Sequence, residues 1–305
     1  MSEIKFEPNG VLIVNKPEGI TSHDVVGKIR KLYGTRKVGH TGTLDPLATG
    51  VLVILLGRAA KAAEYLVADR KTYQARLTLG ITTDTEDITG KVLTQSNDIP
   101  SLEAVMSACE KFKGEIKQIP PMYSALKIDG KKLYDLAREG IEVERKARDV
   151  EIFQLVCTST EKTNEYGLLV ECSSGTYIRT LCADIGAHLG CGGVMSALHR
   201  VRAGGFDIKN SHTLEEIEAL EMDARYDLLA PTESLFCDMP SVKLSAFYEK
   251  LCRSGCEIYQ NKIKTDFEVG ARVRIYAASG EFFALGEARE YEGGTAIKAI
   301  KTFSL

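Results

Sequence analysis

One carboxylate, Asp45, stands alone in the stretch GHTGTLDPLATGVL, residues 39–52, among glycines and threonines and just ahead of the apolar run Val51 to Leu56. An Asp before a Pro can cap a helix or close an Asx turn, and that is its structural reading. The neighbours support a chemical one. Gly39, Gly42 and Gly50 let a bulky ligand approach the backbone, and Pro46 restricts Asp45 to extended conformations that pre-orient its side chain. Such a loop can hold one acid rigidly beside a large substrate. It is no phosphate cradle of the GxxxxGK[ST] kind, because no lysine follows the glycines. It also lacks a second carboxylate for glycosidase-type chemistry and any Ser-His-Asp signature.

Other residues with chemical potential read more plainly. The eight cysteines form no CxxC pair and no cysteine-histidine spacing of zinc type, so they are expected to be reduced and mainly buried. The acids of TTDTEDITG, residues 82–90, lack the calcium-loop spacing and its central glycine, which leaves a polar turn. Formal net charge is −3, yet six basic side chains between Lys16 and His40 face only Glu18 and Asp24, whereas residues 215–238 carry eight acids against Arg225. That asymmetry permits one positive face on an acidic protein, enough to attract phosphate locally. No apolar run reaches the roughly 18 residues of a spanning helix, and the first ten residues lack the apolar stretch of a signal peptide. A cytoplasmic protein is the expectation.

The elements that must position Asp45 begin with a strand at Val11 to Val14 and a helix capped by Ser22, with Val25, Val26, Ile29, Leu32 and Tyr33 on one face. Val51 to Leu56 reads as a strand covered on both faces, and alanine-rich Arg58 to Leu66 as a helix. Residues 71–79 alternate as a half-buried strand does, with Tyr73, Ala75, Leu77 and Leu79 on the apolar side. Ser101 caps a helix bearing Leu102, Val105, Met106, Cys109 and Phe112. Residues 121–149, rich in Lys and Arg, read as an excursion from the core with a short helix near Leu133 to Arg138. Strands follow at about 150–158 and 166–172, and then a helix with Ile178, Leu181, Ile185 and Leu189 on one face and Tyr177 and Arg179 at its first turn. Thr213 and Glu216 form a capping-box pattern. Beyond a boundary near Met239 and Pro240, a helix starting near Ser245 and short strands at roughly 271–276, 281–289 and 295–301 signal a small β-rich module.

Five stretches, NKPEGITSHDVVGKIRKLYG, KVGHTGTLDPLATGVLVILLGRAAK, KTYQARLTLGITTDTEDITG, IPPMYSALKIDGKKLYDLAREG and SSGTYIRTLCADIGAHLGCGG, resemble in order and spacing the motifs of the TruB family of bacterial tRNA pseudouridine synthases. The resemblance runs to about residue 236, and the last segment resembles a PUA RNA-binding module. It implies an α+β fold: a pseudouridine synthase domain over 1–239, built on a central mixed, largely antiparallel sheet flanked by helices, then a PUA-like domain over 240–305. It implies isomerisation of the T-loop uridine of tRNA, conventionally position 55, flipped out of its stack, without cofactor or metal. The expected protein is a monomer that needs no protein partner and no membrane. By the same resemblance Asp45 is the catalytic carboxylate and Arg179 the arginine that pairs with it. Tyr73 stacks on the flipped base and is the acceptor for its C5 proton, Tyr177 and Leu198 line the base pocket, and His40 meets the T-loop nucleotides. Lys16 and Pro17 match the first motif as framework, Lys16 near the aspartate. The sequence departs from the family after Leu198, where two arginines are frequent and His199 and Arg200 stand here.

Overall fold

The computed structural model describes residues 7–66, 70–124, 126–128 and 130–304. The expectation that no leader precedes the fold falls partly on residues 1–6, outside that range. The chain begins with β1 (Gly10–Lys16), α1 (Ser22–Leu32), β2 (Val38–His40), β3 (Thr49–Leu56), a 3-10 helix (Gly57–Tyr65) and β4 (Lys71–Leu79). A hairpin of β5 (Ile81–Thr83) and β6 (Val92–Gln95) leads to α2 (Leu102–Glu110) and β7 (Gly114–Gln118). The excursion holds a hairpin, β8 (Lys127–Ile128) and β9 (Lys131–Lys132), and the short helix α3 (Leu133–Arg138), where the sequence placed it. Then come β10 (Arg148–Ser159), β11 (Glu165–Cys172), α4 (Ile178–His188), β12 (Gly193–Ala203), β13 (Phe206–Asp207), α5 (Leu214–Ala219) and α6 (Met222–Asp227).

Apart from the two hairpins β5-β6 and β8-β9, these strands form one sheet in the order β1-β3-β12-β4-β11-β10-β7, with β2 also on β3 and β13 on β12. Only the β12/β3 pairing in it is parallel, so the sheet is mixed and largely antiparallel, as expected. The uninterrupted apolar run of β3 follows from its double cover. Leu52, Ile54 and Leu56 face a core made with Val25, Val26 and Ile29 of α1. Val51, Val53 and Leu55 face the 3-10 helix through Ala59 and β12 through Ala203. Tyr73, Ala75, Leu77 and Leu79 of β4 point into the helical face, against Ile178, Leu181 and Ile185 of α4, as their alternation requires. All eight cysteines are free, and six of them are buried.

Three local expectations need correction. The cap of α1 is Thr21, whose hydroxyl accepts from Asp24 N while the Asp24 carboxylate accepts from Thr21 N. Ser22 is inside the helix and buried, and its hydroxyl serves the Asp45 loop instead. The alanine-rich segment is helical, but as a 3-10 helix; Gly57 enters it at φ +61°, where a Cβ would lie 2.3 Å from the Pro8 carbonyl oxygen. Met106 is 47 % exposed, off the buried face of α2 that Val105, Ala108 and Cys109 make.

Residues beyond 240 build a second sheet from β14 (Ser241–Lys243), β15 (Ile258–Tyr259), β16 (Arg272–Tyr276), β17 (Phe282–Tyr291) and β18 (Gly294–Thr302), ordered β14-β16-β17-β18-β15. With α7 (Ala246–Arg253) it encloses its own core around Val242, Leu244, Cys252, Val273, Ile275 and Phe283. A further apolar cluster joins it to the first sheet's helices through Ala62, Leu66 and Phe236 against Phe282, Leu285 and Phe303.

Candidate active site

Asp45 sits in a tight turn in which the Ala48 N–H donates to the Asp45 carbonyl at 3.0 Å, with Pro46 at the position where its fixed φ suits a turn. The backbone therefore closes the turn, and the carboxylate is left for other work. Among the described residues its hydrogen bonds go to Arg179: Nε lies 2.9 Å from Oδ2 and Nη2 donates to Oδ1 at 3.4 Å. This two-pronged pairing fixes the direction of the carboxylate as well as its charge.

The flanking backbone is pinned residue by residue. The Arg200 guanidinium, 1 % exposed, donates to the carbonyls of Gly42 at 3.1 Å, Thr43 at 3.5 Å and Val51 at 2.7 Å. Ser22 Oγ accepts from Leu44 N at 2.8 Å and donates to Leu44 O at 3.0 Å. The Pro46 carbonyl accepts from Gly19 N at 2.9 Å and from Lys16 Nζ at 3.3 Å. Gly50 closes the loop against β12: at φ +100° a Cβ there would stand 2.3 Å from the Arg200 carbonyl oxygen. Buried polar groups of this kind are stabilising only when they are satisfied, and here each one holds part of the loop.

Arg179 is held from behind. It lies in the first turn of α4, 4 % exposed, and its Nη1 donates to Thr85 O at 3.0 Å and its Nη2 to Tyr123 O at 2.7 Å. Asp87 Oδ2 stands 3.9 Å from Nη1. Asp87 is itself fixed by Thr85 and Thr89, whose hydroxyls donate to its Oδ1 at 2.9 and 2.6 Å. The segment TTDTEDITG is thus a turn, as expected, but one whose Asp87 and Thr85 face the site. Tyr177 caps α4, and buried Gln118 on β7 holds its backbone, accepting from Tyr177 N at 3.0 Å and donating to Tyr177 O at 3.2 Å.

A cavity of about 290 Å³ opens in front of Asp45, and Tyr73, Tyr177, Arg179 and Leu198 line it together with Lys71, Arg200, Ser124 and Leu126. Five of the six residues singled out from the sequence therefore share one wall. His40 is not among the residues lining it: it ends β2 at the entry to the same loop, opposite Ile54. Burial lowers the His40 imidazole below its ordinary pKa, helped by the Arg200 charge, so the ring is neutral at pH 7. Tyr73, 6 % exposed, lies opposite Arg200 on β12. Burial pushes its phenol above the ordinary value, while the Arg200 charge pulls the other way. Burial also brings Lys16 down to about 8, partly offset by Asp45. A larger groove, about 510 Å³, runs along Gln74 and Arg76 of β4 and shares Leu198 with the Asp45 cavity.

Arg200 and Ser22 are the residues sequence reasoning undervalued. Arg200 shares β12 with Leu198, on the buried side of a strand whose other side stays partly exposed, and the strand pairing that turns it inward is not legible from residue types. His199, at the position of departure, bonds Thr49 Oγ1 through Nδ1 at 2.8 Å and lines the outer groove.

Residues 30–178 match the family described as TruB family pseudouridylate synthase (N terminal domain), and residues 179–236 match the tRNA pseudouridylate synthase B C-terminal domain. The chain is 44 % identical over 292 residues to the tRNA pseudouridine synthase B of Syntrophotalea carbinolica, covering 93 % of this chain and 95 % of that protein. It is 47 % identical over 283 residues to that of Alkaliphilus oremlandii, covering 92 % and 93 %. Among solved structures, a chain of a Cbf5-Nop10-Gar1 complex aligns over 99 % of this chain and 90 % of its own length, with a TM-score of 0.75 and 26 % identity. Two matching family models over residues 30–236, with relatives of such identity and coverage, show that the chain belongs to the TruB family of pseudouridylate synthases.

Proposed function

We propose that this chain converts uridine into pseudouridine in the T loop of tRNA, at position 55 in the usual numbering, with Asp45 as its catalytic carboxylate. The reaction breaks the N1–C1′ bond, turns the base within the site, joins C5 to C1′, removes the C5 proton and leaves a proton on N1, so that product and substrate are isomers. No redox equivalent or outside nucleophile is consumed, so the reaction asks for one anion beside the sugar, a surface for the loosened base, a base for the C5 proton and exclusion of water. The observation that carries the reading is the Asp45 carboxylate, gripped at two points by Arg179 in the cavity that Tyr73 lines.

The cavity, near the lower end of the about 300–1,000 Å³ usual for ligand sites, suits one nucleoside and not an intact helix. A uridine inside a folded loop must therefore be flipped out, at a cost of about a few kcal/mol. In this reading the base stacks on Tyr73, with Tyr177 and Leu198 around it, and its ribose lies at Asp45. Tyr73 is the acceptor for the C5 proton; burial opposes the phenolate form that this needs, and the nearby Arg200 charge favours it. His40, neutral and outside the cavity, is available to stack on the T-loop bases left behind, a contact worth about 1–3 kcal/mol. The insertion over 121–149 contributes Tyr123, Ser124 and Leu126 to the site and its Lys and Arg side chains to the RNA backbone, where contacts position without reading sequence. Residues 1–239 act as the catalytic module and 240–305 as a PUA-like RNA-binding module. The protein works as a monomer in the cytoplasm.

A relative of the chain's fold is solved in an RNP bound to a substrate RNA, and a guide-dependent synthase is the competing reading. Purified protein incubated with a tRNA transcript alone tests between them. Pseudouridine mapped at the T-loop uridine supports stand-alone action; dependence on added protein and guide RNA overturns it.

A further inference from the structure

Two consecutive residues of α4 grip two consecutive residues of the turn over 82–90. Arg179 Nη1 donates to the Thr85 carbonyl at 3.0 Å, and Thr180 Oγ1 donates to Glu86 Oε2 at 2.6 Å. On its far side the turn is laced to β12: Met195 N donates to the Glu86 carbonyl at 3.1 Å, and Ile88 N donates to the Met195 carbonyl at 2.9 Å. Glu86 stands between these ties with φ at +62°, a left-handed conformation that a long side chain enters only when its surroundings hold it there. Among the described residues Lys264 is the one other non-glycine residue at positive φ, and it ends a short helix, where that conformation is ordinary. A glycine would meet the backbone demand of the turn without strain, so the glutamate has to be explained by what its carboxylate touches.

What it touches bears on Arg179. Among the described residues, the Thr180–Glu86 bond is the one hydrogen bond between this turn and α4 that does not run through the Arg179 guanidinium. Without it, Arg179 would have to hold the turn whose carbonyl steadies it while also aiming Asp45 through contacts of 2.9 and 3.4 Å. We infer that Glu86 is a positioning residue for the isomerisation: its carboxylate, anchored on Thr180, fixes the Thr85 carbonyl and through it the guanidinium that aims Asp45. Glu86 is not among the residues lining the Asp45 cavity, so its effect falls on turnover rather than on RNA binding. This inference rests on the reading of Asp45 as the catalytic carboxylate.

The test compares Glu86→Gly, Glu86→Gln and Thr180→Val in kcat and KM on a T stem-loop transcript, with denaturation midpoints alongside. Glycine accepts the left-handed backbone and deletes the carboxylate, whereas glutamine keeps an oxygen that can accept from Thr180. Glu86→Gly should lower kcat about tenfold, with KM within about twofold of wild type and no fall in the midpoint. Glu86→Gln should restore most of the lost turnover. Thr180→Val should reproduce the loss, and the double variant Glu86→Gly/Thr180→Val should be no slower than either alone, because both changes remove the same bond. Glu86→Gly turning over at the wild-type rate, a loss carried by KM or tracking a falling midpoint, Glu86→Gln as slow as Glu86→Gly, or losses that multiply in the double variant would overturn the inference. Wild-type protein that makes no pseudouridine in the same transcript would instead reject the function itself.

Discussion

At the scale of single residues, the site is an arrangement of buried charges, and Lys16 shows what that costs. It is fully buried, donates to the Pro17 and Pro46 carbonyls, and titrates at about 8 against its ordinary 10.5. Below about pH 8 both folded and unfolded chains carry the proton, and the burial cost is at its full value. Between about 8 and 10.5 the unfolded chain keeps a proton that the folded chain has shed, so stability rises with pH in that window, by at most about 3 kcal/mol. Urea unfolding of wild type and Lys16→Met from pH 7 to 10 should show this rise in the wild type and its loss in the variant. Identical pH slopes in the two would contradict the assignment.

At the scale of elements, the loop from Gly42 to Gly50 owes its shape to close contact between β3 and β12. Gly50→Ala brings a Cβ within 2.3 Å of the Arg200 carbonyl oxygen at a φ of +100°, and it should destabilise the fold by about 2–5 kcal/mol, read as a fall in the denaturation midpoint. A change under about 1 kcal/mol would mean that the loop is not clamped there. Elements whose identity is set by local periodicity were legible beforehand: the double-faced run of β3, the alternation of β4, the face of α4 and the helix at Leu133–Arg138. Capping at Thr21 rather than Ser22 was legible but missed: Asp24 stands three residues after Thr21 to complete the reciprocal pair, whereas Ser22 has Val25 there and turns its hydroxyl to the Leu44 backbone, 22 residues on. The partners of Arg179 at Thr85 and Tyr123 were not legible, because they are carbonyls, which no residue type announces. The cluster of Asp45, Tyr73, Tyr177, Arg179 and Leu198 was named by family resemblance, since composition alone would have placed Leu198 and Tyr73 in the core.

At the scale of the molecule, two sheets with separate cores meet through a small aromatic cluster. Phe236, 1 % exposed, has its ring centroid 6.1 Å from Phe282 and 5.7 Å from Phe303. Phe236→Ala should cost about 3–5 kcal/mol in denaturant unfolding, and a cost below about 1 kcal/mol would show that the two parts do not support each other there. The net charge of −3 hides basic segments that the functional reading sets against RNA. Binding to a T stem-loop should therefore weaken steeply as salt rises, and a flat response would contradict that placement. The central claim is that one carboxylate, aimed by Arg179, performs the isomerisation. The most direct measurement is pseudouridine formation on a T stem-loop transcript by Asp45→Ala, alongside its RNA affinity. Abolished turnover with affinity within about tenfold of wild type is the expected result, whereas retained turnover would contradict the account.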